Sequence, residues 1–121
     1  MFGAQSGTDP LAHERRRYPR YDVTASRMSV AVEDESLGES IGIGEAGDIS
    51  LGGLRVRRLP ASTHVRLGDR LGLLLIDEER ALSLRGQVVH HGTEDSFGVE
   101  FRDLSTAEQQ HINDLLRRFH V

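Results

Sequence analysis

Four arginines, Arg15, Arg16, Arg17 and Arg20, fall within six positions near the start of an otherwise acidic chain, and the run Asp48-Ile49-Ser50-Leu51-Gly52-Gly53 follows further along. An arginine guanidinium is a planar fork that makes two parallel bonds to phosphate oxygens or to the O6 and N7 edge of guanine, and its flat face stacks on a base. In an extended segment Arg16 and Arg20 point to one side, about 13 Å apart. A turn at Pro19 would bring them closer. The Asp48 carboxylate only accepts hydrogen bonds, which suits the N1–H and N2–H₂ donors of guanine that arginine leaves unread. Ser50 can donate or accept. Gly52 and Gly53 permit positive φ and let a ligand approach the backbone. Arg55, on the strand that follows and with the facing of Gly53, adds a further contact for phosphate or guanine.

The elements that must position these residues are mostly strands. Met28, Val30 and Val32 alternate with polar or small neighbours, as do Ile41 and Ile43, then Leu54 and Val56. This period of two predicts half-buried strands. Leu71 to Ile76 is a more continuous apolar run and predicts a strand covered on both faces. Leu82, Leu84, Gly86 and Val88, then Phe97, Val99 and Phe101, predict the last two strands. Short strands between polar and glycine-rich breaks imply a small antiparallel barrel or sandwich. The period changes at the end, where Ile112, Leu115, Leu116 and Phe119 mark one face of a helix over 105–119. Ser105 with Glu108 forms its capping box. The apolar stripe should pack on the outside or the open end of the barrel, which favours a monomer over a homodimer paired through that stripe.

The 121 residues suit one domain, with 37% hydrophobic and 28% charged residues typical of a globular chain. No apolar run reaches the length of a membrane span, and the start lacks the pattern of a signal peptide, so the expected location is the cytoplasm without membrane insertion. The absence of cysteine excludes disulfides and thiolate metal sites. Residues 1–21 carry four arginines against Asp9 and Glu14, a net +2, whereas eleven arginines against seventeen acids leave −6 on the remainder. That acidic remainder would repel a long polyanion, yet a local arginine cluster can hold a small one. A nucleic-acid-binding barrel, with Tyr18 and Tyr21 stacking on bases, is therefore the weaker alternative.

Other constellations carry less. His90 and His91 are strand neighbours facing opposite sides, so they cannot easily share one ion. Asp77, Glu78 and Glu79 fit a solvated turn better than acid–base catalysis. No nucleophile stands by motif beside a base, and there is no glycine-rich phosphate loop with lysine. Neither a catalytic residue nor a metal site is expected, and the chain reads as a non-enzyme.

In order and spacing, Arg-x-x-x-Arg (Arg16, Arg20) followed by Asp-x-Ser-x-x-Gly (Asp48, Ser50, Gly53) resembles the PilZ family of small bacterial receptors for cyclic di-GMP. Alone, the first motif reads as a solvated patch and the second as an Asx turn; their ordered pairing favours a receptor. Gly86-Gln87-Val88-Val89 and Phe97-Gly98-Val99-Glu100-Phe101 also look like later strands of that family. The resemblance implies a mainly β fold, a six-stranded antiparallel β-barrel with a C-terminal helix. Turn-like composition without apolar periodicity marks 1–13 as a tail, and the resemblance covers the domain at 14–121, with a ligand-binding segment at 14–21, the barrel at 22–102 and the helix at 105–119. The site it implies comprises Arg15, Arg16, Arg20, Asp48, Ser50 and Gly53, to which the residue reading adds Gly52 and Arg55, with cyclic di-GMP as ligand and no other cofactor. Arg15 resembles the arginine of members that bind an intercalated pair of ligand molecules, its guanidinium stacking on the outer base. Ordering of the arginine segment would present a new surface to an effector protein in motility, exopolysaccharide or pilus control. A PilZ-like module that interacts without ligand is the remaining alternative.

Overall fold

A computed structural model describes residues 18–60, 64–78, 80–92 and 95–119. Strands β1 (Tyr21–Asp22), β2 (Ser29–Asp34), β3 (Glu39–Ile49), β4 (Gly53–Arg57), β5 (Arg70–Ile76), β6 (Ala81–His91) and β7 (Phe97–Phe101) precede helix α1 (Thr106–Arg117). Six of them, β2 to β7, close into an antiparallel barrel in the spatial order β3-β2-β5-β6-β7-β4, with β4 returning to β3. The short β1 adds to the outer end of β3.

One strand closes the barrel by serving two walls. The first half of β3 pairs with β2 and its second half with β4. It crosses between them with extra residues at Ile41 and Gly47, where the register shifts. A third shift lies at Val89 on β6. Each such bulge bends its strand and steepens the twist, which a barrel this narrow requires.

Val30, Val32, Leu54, Val56, Leu84, Val88, Phe97 and Val99 all point inward and are buried, as their alternation predicts. Two expectations fail. Ile43 lies on the outer wall with 66% of its surface exposed, because Gly42 and Gly44 take the inward positions beside it. Those glycines make room for Leu59: a Cβ on Gly42 would stand 2.9 Å from Leu59 Cδ1. Likewise β5 is covered on one face only. Leu71, Leu73 and Leu75 fill the barrel while Leu74 (38% exposed) and Ile76 (37%) face out, since a strand on a barrel wall has no second layer over it unless a helix supplies one.

That helix lies elsewhere. It crosses the end of the barrel near the β5–β6 hairpin and the turn after β3, burying Ile112, Leu115 and Leu116 while Phe119 packs on the edge of the core. Each side chain so buried contributes about 1.5–3 kcal/mol. The capping box is present in both directions: Ser105 Oγ accepts the Glu108 N–H at 3.0 Å, and the Glu108 carboxylate accepts the Ser105 N–H at 2.8 Å. Asp77 starts the β5–β6 turn by accepting the Arg80 N–H, and it pairs with Arg118 at the helix C-terminus. It is therefore a structural tether. Among the described residues no helix is long and apolar enough to cross a membrane. Replacing Ser105 with Ala should lower stability by about 1 kcal/mol, read from urea-unfolding midpoints, while an unchanged midpoint would show that helix docking does not depend on the cap.

Candidate functional site

The turn between β3 and β4 sets the site. Ser50 N–H donates to the Gly53 carbonyl at 2.9 Å, and Ser50 Oγ accepts the Gly52 N–H at 3.1 Å. The Ser50 hydroxyl also points at the Gly53 carbonyl, although 3.5 Å allows only a weak bond. Ser50 is fully buried. Its donor and acceptor capacity is thus engaged inside the turn rather than offered to solvent.

Neither Gly52 nor Gly53 takes a positive φ, so the glycines serve another purpose than the backbone freedom their sequence suggests. A Cβ on Gly53 would lie 2.2 Å from the Val99 carbonyl oxygen. The neighbour that approaches Gly53 is therefore β7 of the same barrel. Gly52 ties the turn to that strand from the other side, its carbonyl accepting the Phe101 N–H at 2.9 Å.

Asp48 owes its outward position to the bulge. In an unbroken strand Ala46 and Asp48 would share a face, and Ala46 is fully buried. The extra residue Gly47 resets the alternation, so that Ala46 and Ile49 point in and Asp48 points out. The Gly47 carbonyl accepts the Val23 N–H at 3.0 Å, which docks the segment after β1 against the bulge. Tyr21 then stands opposite Ile49 and Asp22 opposite Asp48.

Arg20, one residue before β1, reaches back across this pairing. Its Nη1 donates to Asp48 Oδ1 at 2.8 Å, and both side chains remain partly exposed, at 41% and 28%. Two sequence-predicted residues twenty-eight positions apart are thereby joined. Two carboxylates opposite each other would repel, but Asp22 is turned to a separate set of donors. Its carboxyl is held below the ordinary carboxylate value by the Thr24 hydroxyl first and the Thr24 N–H second, with the Arg57 charge adding to them against partial desolvation.

Arg55 is the cross-strand neighbour of Asp48 on the outer wall, and Gly98 and His90 continue the same row. The row Asp22–Asp48–Arg55–Gly98–His90 sets two carboxylates beside one arginine and then flattens at the glycine. Sequence reasoning includes Arg55 but misses Asp22, Gly98 and His90 as its companions, because only strand register brings them together. A groove of about 180 Å³, lined by Pro19, Tyr21, Leu51, Asn113, Leu116 and Arg117, links the Pro19–Tyr21 segment, the turn and α1. Arg15 and Arg16 lie outside the described residues. Among the described residues no three His, Cys, Asp or Glu side chains gather as a metal site.

With the geometry in hand, comparisons with known proteins converge. The PilZ domain family model matches residues 14–118. The PilZ domain of YcgR from Escherichia coli, in a structure with c-di-GMP, superposes with a TM-score of 0.70 at 13% identity, over 87% of this chain and 91% of that one. The PilZ domain of CeSA from a cellulose-synthesizing bacterium gives 0.64 at 15% identity, covering 83% and 96%. The Bacillus subtilis inhibitor of motility MotI gives 0.63 at 23% identity over 86% of this chain, which spans only 50% of MotI. No curated protein matches by sequence.

The close approach at the turn yields a paired expectation. Gly53→Ala should destabilise the domain by about 1–3 kcal/mol, whereas Gly98→Ala, whose Cβ would meet nothing nearer than His90 Cβ at 3.4 Å, should leave the urea midpoint almost unchanged. Equal midpoints for the two variants would show that β4 and β7 can separate at Gly53 without cost.

Proposed function

Because the chain belongs to the PilZ domain family, we propose that it is a receptor for cyclic di-GMP rather than an enzyme. The observation that carries the reading is the Arg20–Asp48 pair on the outer wall, beside the Ser50–Gly53 turn and next to Arg55. A guanine base offers O6 and N7 to an arginine fork and N1–H and N2–H₂ to a carboxylate, so one arginine and one aspartate read its two edges together. Arg55 supplies a second cation within the row for a phosphate. Ser50, Gly52 and Gly53 act by shaping the turn that holds Asp48 at the wall. Arg16 and Arg15 add phosphate and stacking contacts from the segment before Tyr18, and Arg15 favours an intercalated pair of ligand molecules. The c-di-GMP in the YcgR domain supports the ligand class.

Binding would order the part of the arginine segment before Tyr18 over the wall, beside the Arg20 already held there, and so build a surface that an effector protein reads, in motility, exopolysaccharide or pilus control. The groove between Tyr21, Leu51 and Leu116 is the nearest feature such a surface would include. The expected location is the cytoplasm, where the second messenger is made and sensed.

Isothermal titration of cyclic di-GMP into the protein tests this. The parent should bind, while Asp48→Ala and the Arg16→Ala, Arg20→Ala pair should each lose at least about tenfold in affinity, in line with 1–3 kcal/mol per bidentate contact. GTP and a short single-stranded oligonucleotide should give no comparable heat. A stoichiometry near two would support the stacking role of Arg15, and one near unity would reject it. No binding with ligand at about 100 µM would overturn the receptor reading.

A further inference from the structure

The wall on the far side of the barrel from Asp48 carries a second feature, independent of the nucleotide reading. Strands β2, β5 and β6 align Ala31, Leu74 and Ser83 in one outward row and Ser29, Ile76 and Ala81 in the next. None of these six is charged, on a chain in which 28% of residues are. Leu74 and Ile76 stand exposed along β5, and Ile43 extends the first row on β3. A charge-free patch with exposed branched aliphatics is the surface on which proteins associate.

The row above the patch identifies the occupant. Glu33, Gly72 and Arg85 are cross-strand neighbours, so the two opposite charges flank Gly72 about 10 Å apart, two strand spacings. Neither forms an ion pair among the described residues; Arg85 donates only to the Asp103 carbonyl. The Glu33 side chain leans over Gly72, where a Cβ would meet its Cγ at 3.1 Å. Consider a two-fold axis running along β5. It would set Gly72, Leu74 and Ile76 against their own copies, Ala31 against Ser83, and Glu33 against Arg85 at both ends. Small residues would then face small ones on either side of the leucine. A groove of about 290 Å³ lined in part by Ala31, Gly72, Leu74 and Ser83 lies beside this leucine, so the two Leu74 side chains that meet on the axis have room to pack side by side.

We propose that this wall is a self-association surface, on which a second copy of the chain docks about a two-fold axis along β5 with reciprocal Glu33–Arg85 pairs. This departs from the monomer expected when only the helix stripe is considered, and it uses a different face. The wall is convex, so contact is confined to the neighbourhood of one strand, and the pairing belongs to the weak class, with a dissociation constant of about 100 µM. An overall acidic chain repels its copies at other orientations, which leaves the charge-free patch as the favoured approach.

Sedimentation equilibrium between about 10 µM and 1 mM reads the result directly, with circular dichroism confirming that each variant is folded. The parent should show a reversible monomer–dimer equilibrium, and Leu74→Arg should be monomeric throughout. Glu33→Arg alone should weaken the dimer at least about tenfold by setting two arginines together, and adding Arg85→Glu should restore it to within about threefold. A parent that stays monomeric, a dimer that survives Leu74→Arg, or a double variant that fails to recover would each overturn the proposal.

Discussion

The extra residue at Gly47 is the constraint on which the site depends. Strand geometry leaves no choice about facing: residues two apart share a side, so a strand that buries Ala46 buries position 48 as well. One inserted residue reverses that parity without moving the strand from its place between β2 and β4. The consequence is double. Asp48 is turned to solvent while Ile49 returns to the core, and the Gly47 carbonyl takes the Val23 N–H, which fixes the segment that carries Arg20 beside the bulge. Arg20 meets Asp48 because both ends of that contact are set by the same bulge.

The second constraint is the contact of β4 with β7. Any side chain at Gly53 would collide with the Val99 carbonyl, so the spacing of Asp-x-Ser-x-x-Gly measures the distance from the outward carboxylate to the point where two strands touch. Ser50 closes that span as a buried turn residue. On the proposed reading the motif is as much a folding device as a binding one, and a substitution within it would abolish binding by either route.

Much of this was legible in the sequence, and the rest was hidden for definite reasons. Alternation at Val30 and Val32, the stripe Ile112, Leu115 and Leu116, and the Ser105–Glu108 box are local patterns, and the fold follows them. The motif residues Arg20 and Asp48 also stand out as companions in the sequence, and the structure joins them. What could not be read is parity and register. Ile43 looks like a core residue until the bulge at Ile41 and the passage of Leu59 over Gly42 are known. Leu74 and Ile76 look buried because an apolar run does not record whether a second layer covers it. Gly98 and His90 join Arg55 only through pairings distant in sequence.

The Arg20–Asp48 pair also bears on how a guanine ligand would be admitted. Residues 21–23 are already held by Ile49, Asp48 and the Gly47 carbonyl, so Arg20 need not be carried to the wall when a ligand arrives. What must be exchanged is its ion pair. Both partners are partly exposed, and a pair of that kind is worth about 0–1 kcal/mol, so breaking or sharing it is a small obstacle. The guanidinium keeps donors beyond the Nη1 that Asp48 engages, and a carboxylate keeps a second oxygen. A guanine lying between them can therefore bind its O6 and N7 edge to the arginine and its N1–H and N2–H₂ edge to the aspartate. Adenine presents an acceptor at N1, which would face the carboxylate without a bridging hydrogen. The same pair that positions Arg20 in the free protein would thus discriminate between purines in the bound one.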